Sequence, residues 1–317
     1  MKRWIVGLLL VFIVSGCADK ELYVFPDDGG ELLFVAHLKE PLLTVIDAET
    51  EDIVGEIELP FVASDLAIVD GRLLLSSVEE EQLYAFDFDT QALEGIGEVG
   101  LGVSKLLEAN ETLYAAHATQ DRVSKISVEP FEVEAYAATD AHPQSLTIGD
   151  GIVFVANVYG HSVQELDAKT LEVTATYSII DRPNGIAYTD GHLLVGGHGP
   201  SGALNRELVD YSLETQEITE RIDIGLMPIE ILADGDSFFV LNHGSHEVVA
   251  LGGDLAERGR LPVADNPYYG AIRENRLYVS SLDGDMVTVI DTESFEKLSE
   301  IPVSSGPHAI AIREAQR

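Results

Sequence analysis

The chain predicts an all-β fold, a seven-bladed β-propeller of four-stranded blades, on three observations. A unit of about 40 residues recurs seven times along its 317 residues. Each unit opens with a short apolar strand after a loop, at 63–69, 103–109, 143–149, 183–189, 228–234, 267–273 and 307–313. Successive starts therefore lie 40, 40, 40, 45, 39 and 40 residues apart. No helical apolar period accompanies the repeat, which separates propeller blades from the units of a helical solenoid.

The unit opening at Pro183 shows how each element is read. Strands are expected at 184–189, 192–197, 207–212 and 218–224. Asp190-Gly191 joins the first two as a tight hairpin turn, because both residues tolerate positive φ. The dipeptide recurs as Asp70-Gly71, Asp150-Gly151 and Asp234-Gly235, with Asn110-Glu111 and Glu274-Asn275 in the remaining places. Second strands (32–36, 152–156, 238–241, 277–279) are nearly unbroken apolar runs, as expected of strands buried on both faces between neighbouring blades. Fourth strands alternate, as in Ile218-Thr219-Glu220-Arg221-Ile222-Asp223-Ile224, the pattern of an outer strand with one wet face. Asp47, Asp87, Asp167 and Asp291 end third strands with Thr50, Thr90, Thr170 and Ser294 three residues on. A carboxylate there accepts backbone N–H groups of the turn, so these acids read as scaffold.

Closure follows from the two ends of the repeat. It starts with a second-type strand at 31–36 and finishes with a first-type strand at 307–313. Neither makes a blade alone; together they make the seventh, with the C-terminal strand innermost and three N-terminal strands outside it.

The block Arg276-Leu277-Tyr278-Val279-Ser280-Ser281, with Val287-Thr288-Val289-Ile290-Asp291-Thr292, Ile301-Pro302-Val303 and Gly306-Pro307-His308-Ala309-Ile310-Ala311, resembles the YVTN-type β-propeller repeat. Val153-Phe154-Val155-Ala156-Asn157, Arg182-Pro183-Asn184-Gly185-Ile186-Ala187 and Thr44-Val45-Ile46-Asp47 repeat the theme. The resemblance covers nearly all of residues 31–317 and implies the fold. The wider group of seven-bladed relatives includes surface-layer proteins, lactonase-like enzymes and cofactor-bearing oxidoreductases, so the chemistry must be argued from the site.

At the N-terminus, Lys2 and Arg3 precede an apolar stretch at 4–14, too short for a membrane span but suited to a signal-peptide core. Val14-Ser15-Gly16-Cys17 resembles the bacterial lipobox. That resemblance implies a signal peptide over 1–16, lipid attachment at Cys17, a tether over 17–30, and the propeller over 31–317. The expected location is the cell envelope, lipid-anchored on the extracytoplasmic side of a bacterial membrane, with the membrane itself as one partner. Cys17 is the only cysteine, so no intrachain disulfide exists. Residues 22–25 are apolar enough to pack against the propeller.

Removing residues 1–16 leaves 17 basic against 55 acidic residues, a formal charge of −38. So acidic a surface repels phosphate, which excludes non-specific nucleic-acid binding. It attracts cations, basic peptides or polyamines. The propeller is expected to be monomeric.

The histidines are unevenly placed. Loops between blades share one face with the loops joining second and third strands, and eight of nine histidines fall there. His142 and His308 open first strands beside the channel; His37, His117, His198 and His243 end second strands; His161 and His246 lie further along the same loops; His192 is on the opposite face. Asp65, Lys105, Asn157, Asn184, Glu230, Asn242, Tyr268 and Tyr269 fall near them by repeat equivalence. Imidazole is the commonest transition-metal ligand, so His37, His117, His142, His198, His243 and His308 form a candidate metal set, with a transition metal the cofactor they would hold. His142, Asn184, Glu230, Tyr268, Tyr269 and His308 form a candidate set for an organic ligand or peptide. Arg206 joins it, because the one large insertion, at 198–206, brings that cation to the same face.

Three function classes follow. The first is a binding platform for an extracellular ligand or partner protein on the histidine-rich loop face. The second is a metal- or cofactor-binding redox protein using the histidine ring. The third is a lactonase-like hydrolase dependent on Glu230 or His308. No catalytic set is assigned, since no nucleophile-elbow or Ser/His/Asp spacing occurs.

Overall fold

A computed structural model describes residues 21–22, 25, 27 and 29–315. Seven antiparallel sheets form the ring: blade 1 (residues 65–98), blade 2 (103–138), blade 3 (143–177), blade 4 (183–223), blade 5 (228–262), blade 6 (267–302) and a composite blade 7. Blade 7 runs outward from Pro307–Arg313 through Leu32–His37 and Leu42–Asp47 to Ile53–Glu58, so the two ends of the repeat close the ring as expected. Among the described residues there is no helix.

Blade 4 contains Pro183–Thr189, His192–Gly197, Glu207–Ser212 and Glu217–Asp223, within a residue of the sequence reading. Burial follows the two patterns. Leu32–His37 is buried at every position, whereas Glu217–Asp223 is nowhere fully buried. The hydrophobic core accordingly lies in the seams between blades. Val153 and Val155 of blade 3, for example, pack with Tyr114 and Ala116 of blade 2. Each such aliphatic side chain contributes about 1.5–3 kcal/mol on full burial.

The turns hold with one correction. Asp70-Gly71, Asp150-Gly151, Asp190-Gly191 and Asn110-Glu111 have positive φ at both residues. Asp234, however, is the last residue of its strand, paired with Ser237, and the turn falls on Gly235-Asp236. The Asx arrangement holds in all four blades: Asp47, Asp87, Asp167 and Asp291 accept the N–H of the residue three positions on at 2.7, 2.7, 2.8 and 2.7 Å.

The segment before the repeat adds to the sheet system. Glu21–Leu22 pairs with Ala92–Glu98, making blade 1 five-stranded. Phe25 is buried in the seam between blades 7 and 1, its ring 6.1 Å from both Phe34 and Phe86. Gln91 clamps it, accepting the Phe25 N–H at 3.1 Å and donating to its carbonyl at 3.0 Å. Gly55 leaves the space: a Cβ there would sit 2.7 Å from Phe25 Cβ. Asp27 then pairs with the buried guanidinium of Arg313, on the innermost strand of blade 7. Arg313 holds the Asp27 carboxyl below the usual carboxylate range. Cys17 and the lipobox lie outside the described residues.

Candidate functional site at the channel mouth

Six of the seven inner strands enter the ring through an irregularity, the exception being Asp65–Val69 of blade 1. In blades 2, 3, 5 and 6 the ladder slips at the strand's second residue, leaving Ser104, Gln144, Ile229 and Tyr268 unpaired. In blades 4 and 7 the slip covers Asn184-Gly185 and His308-Ala309. A bulge of this kind re-aims the side chains beside it. The six leading residues of these slips, with Lys105, Ser145, Glu230 and Tyr269 one position further, line a narrow neck in the channel of about 20 Å³.

Charge concentrates there. Lys105 Nζ lies 3.8 Å from Glu230 Oε1 and 3.9 Å from the centroid of the Tyr269 ring. The Lys105 and Glu230 side chains are 16% and 19% exposed. Asp65, fully buried, accepts the Leu106 N–H through Oδ2 at 2.7 Å, while its Oδ1 has no hydrogen-bond partner among the described residues. Burial works against the charge on Lys105, but Glu230, Tyr269 and Asp65 together overcome it and hold the ammonium protonated. Burial raises both carboxyls above their ordinary range, with Lys105 opposing it in each case. Burial also raises the Tyr269 hydroxyl. A lysine kept charged in this way is no Schiff-base nucleophile at neutral pH.

A line of rings continues from the neck to the loop face. His198 and His243 are 6.1 Å apart between centroids, His243 and Tyr268 5.7 Å, Tyr268 and His308 4.9 Å, and Tyr269 and His308 5.8 Å. Burial, followed by the charge on Lys105, lowers the pKa of His308 to about 3. Its Nδ1 and that of His243 are buried without a hydrogen-bond partner among the described residues. Burial lowers His198 and His243 as well, so the line is uncharged at neutral pH.

The remaining histidines separate from this group. His37 lies with Nδ1 3.2 Å from the Ser305 carbonyl and Nε2 2.8 Å from Thr44 Oγ1. His117 repeats the pattern with the Leu101 carbonyl at 3.0 Å and Ser124 Oγ at 2.9 Å. Both rings are therefore consumed by the blade scaffold. Asn157 and Asn242 occupy the same repeat position, opposite the first residue of the inner strand. His246 Nδ1 accepts the Asn266 N–H at 2.8 Å, as Asp121 accepts that of His142 and Asp285 that of Gly306. His161 Nδ1 accepts the Arg182 N–H at 3.4 Å in the same way. His192 pairs with Asp210 at 2.8 Å on the opposite face.

Of the two candidate sets, the structure brings together Asn184, Glu230, Tyr268, Tyr269 and His308, with His198 and His243 beside them. His142 stands apart from the line, its ring 4.5 Å from that of the exposed Tyr159. Arg206 turns outward to Asp223 at 3.2 Å, both side chains more than half exposed. The six histidines of the metal set do not converge, and among the described residues no three His, Cys, Asp or Glu side chains form a metal-binding group. Lys105 and Asp65, beside the candidate set in the repeat alignment, supply its charged centre. Gln144 and Ile229 complete the neck; only their position after the first residue of an inner strand could have marked them.

A larger space, about 680 Å³, lies on the opposite face where blades 6 and 7 meet. Its two arginines are already engaged: Arg273 with Glu31 and Glu314 at 3.2 and 2.8 Å, Arg276 with the Ala48 carbonyl at 2.6 Å. Size alone therefore does not select it.

No family model matches the chain, and no curated protein matches it in sequence. Solved structures do. A functionally unknown protein from Desulfotomaculum acetoxidans superposes with a TM-score of 0.75 at 14% identity, over 90% of this chain and 99% of that one. Hydrazine synthase of Kuenenia stuttgartiensis gives 0.72 at 17% identity, over 83% and 92%. Apo AztD of Citrobacter koseri gives 0.61 at 13%, over 92% and 98%. At such identities the likeness speaks to architecture and not to chemistry. The protein is a seven-bladed β-propeller, all-β, each blade built on four antiparallel strands, to which blade 1 adds the short strand Glu21–Leu22.

Proposed function

We propose that this protein is a binding platform, held on the extracytoplasmic side of a bacterial membrane by a lipid on Cys17, whose ligand site is the mouth of the central channel. The observation that carries the reading is the convergence of six blades' bulged inner strands on one neck. That neck combines a charged centre, Lys105 with Glu230 and Asp65, and a continuous wall of uncharged rings from His198 to His308. Few polar groups placed precisely within an aromatic wall are the make-up of a ligand site. Buried acceptors without partners support it, because each is costly until something donates to it.

The test is native mass spectrometry of the full-length protein purified gently from its own host. A co-purifying small molecule is expected, lost from a folded Tyr268→Ala/His243→Ala variant. A ligand that survives in that variant would place the site elsewhere.

A further inference from the structure

We infer that the mouth takes a small primary amine, with its ammonium seated in the neck against Glu230 and His308 and its apolar body lying on Tyr268. This rests on the reading of the mouth as a binding site and names the class of ligand.

Charge points that way. Two acids, Glu230 in the neck and Asp65 behind it, stand near one ammonium, Lys105; burial raises both acids toward their neutral forms, and the neighbouring rings are neutral. A cation favours the ionised form of an acid that burial holds back, whereas an anion would oppose it. The protein's formal charge of −36 also concentrates cations at its surface.

Hydrogen bonding points the same way. Asp65 Oδ1 and His308 Nδ1 are buried atoms without partners among the described residues. The Ser64 backbone is a hydrogen-bond partner of the His308 ring. Glu230 adds a third acceptor at the neck. An ammonium carries three donors and no acceptor, which is the complement of this set.

Size then narrows the class. The neck's 20 Å³ holds a group about as large as one water. A primary ammonium fits and a trimethylammonium does not. Tyr268, itself on the wall of the neck, stands between the rings of His243 and His308, a surface on which a flat or aliphatic body can lie. Lys105 opposes a second cation there, and Asp65 and the face of Tyr269 must hold its charge when Glu230 is shared with the ligand.

The test titrates the full-length protein in mild detergent with three probes of one shape: phenethylamine, its trimethylammonium analogue and 3-phenylpropionate. Calorimetry reads affinity, and the ring resonances of His243 and His308 report the place. Phenethylamine is expected to bind one to one and shift both rings, the trimethylammonium analogue to bind far more weakly, and the carboxylate not to bind. Glu230→Gln should weaken the amine by roughly tenfold or more, the scale of one lost charge-assisted hydrogen bond. Tyr268→Leu, at the wetter edge of the site, should weaken it with the fold intact. Preference for the carboxylate would overturn the amine assignment and leave the mouth as a site. Amine binding that spares both rings, or that Glu230→Gln and Tyr268→Leu leave unchanged, is association with the acidic surface and overturns the assignment too. If none of the three probes moves either ring, the assignment and the reading of the mouth fail together.

Discussion

Lys105 of blade 2 and Glu230 of blade 5 meet across the channel, Nζ to Oε1 3.8 Å, with Asp65 and the ring of Tyr269 completing the surroundings of the ammonium. One cation therefore holds two buried carboxylates at the centre of the ring.

Lys105→Met should destabilise the protein by about 3 kcal/mol, because removing one partner strands buried charge. The sign of the pH response is set by the acids. Both have pKa values above ordinary in the folded protein, so the folded state binds more protons than the unfolded chain between the two values. That contribution is present at low pH and is lost as pH rises through the folded values. The variant should consequently recover toward pH 4, and Lys105→Met/Asp65→Asn/Glu230→Gln should recover at pH 7. Urea unfolding at both pH values checks this; a single variant equally stable to wild type at pH 7 would falsify the centre's role.

His117 acts in the opposite direction. Burial, against the Leu101 carbonyl bond, lowers its pKa to about 4, so between about pH 6.5 and 4 the unfolded chain takes up a proton that the folded ring refuses. Stability is lost as pH falls through that window, by roughly 3 kcal/mol for the full shift. His117→Asn, which installs the residue that blades 3 and 5 carry at this position, should flatten the acid limb. An unaltered slope of stability between pH 7 and pH 4.5 would rule the ring out as its source.

Phe25 and Gly55 should prove coupled. Phe25→Gly removes a ring buried among Phe34 and Phe86 and should cost about 3–5 kcal/mol. Gly55→Ala should destabilise wild type, since the new Cβ meets Phe25 Cβ at 2.7 Å, but not the Phe25→Gly variant. A double-mutant cycle showing additive effects would mean that the segment is not seated in the seam.

Cys17→Ser is expected to leave thermal unfolding unchanged and move the protein from the membrane fraction to the soluble fraction. Retention on membranes would argue against a lipid anchor at that residue.

Legibility differed between the backbone and the site for a physical reason. The 40-residue period, the unbroken second strands and the alternating fourth strands are properties of each unit's own chain, visible wherever the unit is read. The Asx turns at Asp47, Asp87, Asp167 and Asp291 are equally local. The loop face was legible too, because strand order alone assigns each loop to one side of the ring. Phe25 announced its packing by being apolar, though the strand pairing of Glu21–Leu22 with blade 1 carried no such mark.

By itself, then, the sequence determined the number of blades, the composite closure and the face on which the histidines gather, since repeat spacing and apolar period are written along one strand at a time. Only the tertiary structure decided what those histidines do. His117 and His243 stand one repeat position apart, yet the first is bonded through both ring nitrogens into the blade and the second faces Tyr268 at the mouth. The bulges that open six of the inner strands, and the closing of the ring that sets Lys105 against Glu230, bring together side chains from different units. Contacts of that kind depend on through-space geometry, to which no local period responds.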